Sequence, residues 1–132
     1  MQAGQARESL DLLVVENDQR IAALLVLFLV RRGHRVRSAA SFAGAREELR
    51  HQRPDLMLSD LELENESGRT ELPRLAREGL LPPTLIVSGY LDGELEAELR
   101  SIPGVVGTLR KPFEFDLLEG SLLASLARAR SQ

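Results

Sequence analysis

Apolar residues in this chain gather into short runs separated by longer amphipathic stretches. Leu10 to Val15, Asp55 to Ser59, Thr84 to Val87 and Val105 to Leu109 each carry three or more apolar residues with little alternation. Such runs predict strands buried on both faces. His34 to Ala39 differs, with Val36 set among charged neighbours, and predicts a short strand nearer the edge of a sheet.

The intervening stretches predict helices. The first runs from about Gln19 to Arg32, N-capped by Asn17 or Asp18 and closed by Gly33. At 100° per residue, Ile21, Leu24, Leu25 and Phe28 should face the sheet, while Ala23, Val26, Leu27 and Val30 make the far side apolar too. Ser41 caps a second helix to about Gln52, with Glu47 and Glu48 against Arg50. Leu61 to Gly68 is a polar loop. A third helix starts at Thr70, carries Pro73 in its first turn and ends at Gly79. Pro82-Pro83 forces an extended entry into the next strand. Leu91, Leu95 and Leu99 stripe a fourth helix whose other face holds Asp92, Glu94, Glu96 and Glu98. Pro103-Gly104 turns the chain into the last strand, and a fifth helix runs from about Glu114 to Arg128.

Five strands, each followed by a helix and joined by right-handed crossovers, predict an α/β fold: a flavodoxin-like three-layer sandwich with strand order 2-1-3-4-5. With 132 residues, 43% of them hydrophobic, the chain has material for one core. Residues 10–130 are expected to form that domain, with 1–9 as a loose tail. A net charge of −3 and the absence of long like-charge blocks argue against nucleic acid as a partner. The longest apolar run, Ile21 to Val30, is too short for a membrane span. The absence of cysteine excludes thiolate metal sites and fits a reducing, cytoplasmic compartment.

Candidate chemistry collects at the strand ends. Glu16-Asn17-Asp18 follows the first strand, Asp60 the third, Ser88 the fourth and Lys111 the fifth. In an open parallel sheet the carboxyl edge binds ligands, and the switch point between strands one and three brings Asp60 opposite Glu16. Each residue taken singly also fits a turn or a cap.

The fragments VVEND (Val14 to Asp18), PDLMLSD (Pro54 to Asp60), IVSGY (Ile86 to Tyr90) and LRKPF (Leu109 to Phe113) stand in order at these ends. Together they resemble the CheY-like receiver domain of two-component response regulators, over about residues 10–128. The resemblance implies that Asp60 accepts a phosphoryl group, Ser88 is a switch hydroxyl, and Lys111 pairs with the phosphoryl oxygens. It also implies a divalent cation, magnesium or manganese, held by Glu16, Asn17, Asp60 and the backbone carbonyl of Glu62. Such a protein is a regulator that assists its own phosphorylation, not an enzyme acting on other molecules. A cis Lys111-Pro112 bond is expected, since X-Pro is where cis is accessible.

Two positions depart from the family pattern. Asn17 stands where a second acid usually touches the metal, which weakens the site unless Glu16 reaches inward; Asp18 is a third option, although its place suits N-capping. Thr108 stands where the family usually has an aromatic that rotates inward, and Tyr90 is the nearby ring. These keep open a pseudo-receiver that works by protein contact without phosphorylation. A haloacid-dehalogenase-like phosphatase also forms an aspartyl-phosphate, but its D-x-D signature follows the first strand rather than the third. The expected partner is a sensor histidine kinase or phosphotransfer protein, docked on the apolar far side of the first helix, with a homodimer through that face as the alternative. The stretch after Arg128 is short for an output domain, so output is expected through the receiver's own surface.

Overall fold

The computed structural model describes residues 8–131. Five parallel strands form one sheet: β1 (Asp11–Val15), β2 (Arg35–Ala39), β3 (Leu56–Asp60), β6 (Thr84–Ser88) and β7 (Val105–Arg110). Their order is β2-β1-β3-β6-β7, which is the expected 2-1-3-4-5 once a small hairpin is set aside. That hairpin, β4 (Glu62–Leu63) paired antiparallel with β5 (Glu66–Ser67), corrects the polar loop expected over 61–68. Two-residue strands leave no alternation to read, and the turn rests on Asn65 at φ 63°.

Alternation along each central strand sends side chains to opposite faces. Leu13, Val15, Met57 and Ile86 pack under α2 (Phe42–His51), α3 (Gly68–Arg77) and α4 (Gly93–Arg100). Leu12, Val14, Leu56, Leu58, Leu85 and Val87 pack under α1 (Gln19–Arg31) and α5 (Phe115–Arg130). Both faces of the sheet are therefore covered, which is why those strands read as unbroken apolar runs. No helix among the described residues is long and apolar enough to cross a membrane.

The caps follow the sequence closely. Asp18, not Asn17, caps α1, accepting from the amides of Arg20 and Ile21, and Gly33 closes it at φ 98°. Ser41 caps α2, but only Glu47 of the two acids meets Arg50; Glu48 instead bonds Arg37 of β2. Helix α3 starts two residues earlier than expected, capped by Ser67, so Pro73 lies beyond the first turn and one backbone bond to Arg69 is forgone. Helix α4 starts after its cap Asp92, leaving Leu91 buried ahead of it.

Helix α1 corrects the expected stripe. Leu25 and Leu29 are buried, whereas Ile21 and Leu24 are 42% and 55% exposed. The helix is rolled so that the Leu25–Leu29 ridge meets the sheet, and Phe28 reaches sideways to the Phe115 ring, 4.8 Å away. Leu27 and Val30 on the far side are exposed, as expected, and line a groove with Ala39 and Ala40 at the carboxyl end of the edge strand β2. Of the expected tail, residues 1–7 lie outside the described part. Glu8 forms a two-pronged ion pair with Arg130, and the Ser9 hydroxyl donates to the Gly33 carbonyl.

Candidate functional site

Parallel register brings the polar strand ends together. Val15 lies beside Ser59, Asp60 beside Val87, and Ser88 beside Arg110. Glu16, one residue past β1, therefore falls next to Asp60, and Lys111, one past β7, is tied to β6 by its amide on the Ser88 carbonyl at 2.8 Å. The Lys111-Pro112 bond is cis, as expected.

Three charged groups meet there. Lys111 Nζ lies 2.7 Å from Asp60 Oδ1 and 3.5 Å from Glu16 Oε1. Both acids are buried, at 8% and 6% exposure. Burial and the Glu16 charge beside it outweigh the downward pull of the Lys111 hydrogen bond and leave the Asp60 carboxyl raised to about 6. For Lys111, burial pulls downward, but its bond to Asp60 and the two acidic charges leave it raised overall. Two buried carboxylates thus share one ammonium, and the pocket carries excess negative charge. Lys111 is the only lysine in the chain; every other fixed basic side chain is arginine.

Glu16 reaches inward, which answers one question the sequence left open. Its Oε2 also accepts from the Asp18 amide at 3.0 Å, holding the loop in place. Asp18 is committed to capping α1, and Asn17 is exposed between them. Glu62, on β4, is exposed, with the Ser67 hydroxyl 3.4 Å from its carboxylate. Among the described residues no group of three or more His, Cys, Asp or Glu side chains converges to hold a metal. Glu16 and Asp60 are the two buried carboxylates at this edge, hard oxygen donors with surplus negative charge, a pair that suits magnesium completed by other oxygens.

Ser88 is buried at the end of β6, and its hydroxyl donates to the Tyr90 carbonyl at 2.9 Å while accepting from the Tyr90 amide. A Cβ added at the neighbouring Gly89 would meet open space. Tyr90 is 64% exposed and donates from its hydroxyl to Asp92, the cap of α4. It does not fill the place of an inward aromatic. Thr108 instead donates to Glu96 Oε2 of α4 at 2.9 Å, and Arg110 donates to the Leu91 carbonyl. A bidentate Arg69–Glu98 pair at 2.7 and 2.8 Å joins α3 to α4 beside a pocket of about 250 Å³ next to Ser88. These polar ties to α4 escaped sequence reading, because each depends on how a helix lies against an unrelated element.

A family model described as the response regulator receiver domain matches residues 12–122. The chain belongs to that family. This receiver is 34% identical over 121 residues to transcriptional regulatory protein AfsQ1 of Streptomyces coelicolor, covering 92% of this chain and 53% of that protein. It is 31% identical over 124 residues to transcriptional regulatory protein ZraR of Escherichia coli, covering 94% of this chain and 28% of that one. The receiver thus spans about half, or less, of the length of these relatives. Chemotaxis response regulator CheY4 of Vibrio cholerae shares the fold, with a TM-score of 0.81 at 22% identity over 89% of this chain and 99% of that one.

Proposed function

We propose that this receiver takes a phosphoryl group onto Asp60 from a sensor histidine kinase or phosphotransfer protein, and signals through the resulting change around α4. The observation that carries the reading is the Lys111 ammonium 2.7 Å from Asp60 Oδ1, with Glu16 on its other side. A carboxylate attacking a phosphoryl donor meets like charge, and a fixed ammonium lowers that repulsion where negative charge builds up. In the transfer, an Asp60 oxygen forms the new bond to phosphorus while the bond from phosphorus to the donor nitrogen breaks. The donor histidine keeps that electron pair and takes up a proton. Glu16 and Asp60, with the Asn17 amide oxygen and the Glu62 carbonyl, would hold magnesium or manganese, which would supply positive charge to offset the repulsion between like-charged reactants.

Ser88 then has a second acceptor. Turning its hydroxyl toward a phosphoryl group on Asp60 gives up the bond to the Tyr90 carbonyl. Tyr90 holds Asp92, so the loss reaches the start of α4. The partner docks over α1: the apolar groove beside Leu27 and Val30 also borders Glu16 and Gln19. A partner seated there brings its phosphohistidine to the edge that holds Asp60.

Incubation with a small acyl phosphate and magnesium, followed by intact-protein mass spectrometry, tests the reading. One phosphoryl group should appear on wild type and none on Asp60→Asn. No labelling of either protein favours the pseudo-receiver, for which the tie of Thr108 to Glu96, in place of a mobile ring, is the supporting observation.

A further inference from the structure

Helix α2 has no acidic residue in its first turn, and its cap Ser41 serves only the Gly44 amide. The first amides of a helix have no partner within it and carry positive partial charge. Here a carboxylate arrives from another element. Glu66 Oε1, on β5, accepts from the Phe42 amide at 2.8 Å across 24 residues of sequence. The Phe42 side chain is 1% exposed, locked in the core between α2 and the sheet. In this bond the helix is the fixed partner and the hairpin is the one being held.

What the hairpin carries is the backbone two residues past Asp60. Leu61 is anchored in both directions, its amide on the Val87 carbonyl and its carbonyl taking the Gly68 amide at 2.5 Å. A Cβ at Gly68 would lie 2.7 Å from that carbonyl, so the close return of the chain depends on glycine. Leu63 is buried and anchors the first limb. Glu62, between these anchors, is exposed, and its position depends on pairing with Ser67 in the second limb. An isolated two-stranded ribbon is marginal in water, and this one has two residues per strand. The end of the second limb runs into α3 through its cap Ser67, and Glu66 is the side chain that ties its start to another element.

We infer that Glu66 is a positioning residue for the Asp60 site, clamping the β4–β5 hairpin to the start of α2 so that the Glu62 backbone is held beside Asp60. The inference deepens the proposed phosphoacceptor reading and rests on it for its consequence, not for its geometry. Glu66→Ala removes the clamp, while Glu66→Gln keeps an acceptor oxygen at the same reach. Backbone NMR of the full chain gives two readouts: hydrogen exchange across residues 62–67 without metal, and magnesium affinity from titration of the same amides. In Glu66→Ala exchange should speed up across the hairpin and at Phe42, and magnesium affinity should fall on the order of tenfold, as for other residues that orient a metal's ligands. Glu66→Gln should restore most of both. Unchanged hairpin exchange in Glu66→Ala overturns the inference, as does unchanged magnesium affinity alongside a deprotected Phe42 amide, which leaves Glu66 as a helix cap alone. If wild type itself binds no magnesium, the phosphoacceptor reading falls, and the metal-free exchange comparison still decides whether Glu66 holds the hairpin.

Discussion

Replacing Asp60 with asparagine should make the metal-free protein more stable at neutral pH, although it removes an ion pair at 2.7 Å. Asparagine has the shape of the protonated acid and none of the charge. Burial, with Glu16 close by, raises the Asp60 carboxyl from an ordinary 3.8 to about 6 even with Lys111 attached. Between those values the folded state holds the proton more tightly than the unfolded state, so stability falls as pH rises through the window. At pH 7, where both states are ionised, the accumulated cost is about 3 kcal/mol, and at pH 4 most of it is gone. Asp60→Asn escapes that cost, and Lys111 keeps Glu16 as its partner. Urea unfolding followed by circular dichroism, with chelator present, reads the difference as a shift in midpoint at constant slope. The variant should gain up to about 3 kcal/mol at pH 7 and almost nothing at pH 4. Saturating magnesium should then stabilise wild type more than the variant. A variant less stable than wild type at pH 7, or a gain that ignores pH, would refute the reasoning.

The opposite substitution should have the opposite sign: Lys111→Ala leaves two buried acids uncompensated and should cost about 2 kcal/mol at pH 7, part of it recovered at pH 5, by the same unfolding assay. Asn17→Asp adds a carboxylate at the mouth of the site and should tighten magnesium binding in an NMR titration; equal affinities would show that Glu16 already supplies the needed charge. Gly68→Ala forces a methyl against the Leu61 carbonyl and should destabilise the fold by about 2 kcal/mol while slowing acyl-phosphate labelling of Asp60, a pair of effects read by unfolding and mass spectrometry. Leu27→Glu with Val30→Glu, both exposed on α1, should leave the fold and small-donor labelling intact and slow phosphotransfer from a cognate donor protein; a fold-breaking effect would mean that the groove is part of the core.

Much of this architecture was legible because a parallel sheet covered on both faces leaves an unmistakable trace. The runs at Leu12–Val15, Leu56–Leu58 and Leu85–Val87 have no polar alternation, and Glu16, Asp60 and Ser88 follow them within two residues. Parallel register then carries those ends to one edge, so the sequence alone groups Glu16, Asp60, Ser88 and Lys111 there. The roll of α1 was not legible: with Ile21, Leu24, Leu25, Val26, Leu27, Phe28, Leu29 and Val30 all apolar, periodicity has no polar face to fix its phase. The β4–β5 hairpin was hidden because it is shorter than any pattern. Glu66 and Phe42, or Thr108 and Glu96, are pairs whose meeting depends on tertiary packing, and nothing in their local sequence announces it.

The solitary lysine gives the site a chemical address. Among the chain's side chains, an amine-directed reagent meets a single ε-amino group, and that group sits between Asp60 and Glu16 at 31% exposure. Its reactivity is governed by whatever occupies the two carboxylates, so a trace of acylation at Lys111 is a built-in gauge of the pocket's electrostatic state. Every other fixed cation on the side-chain surface is an arginine guanidinium, so the lysine signal reports on this one edge of the sheet.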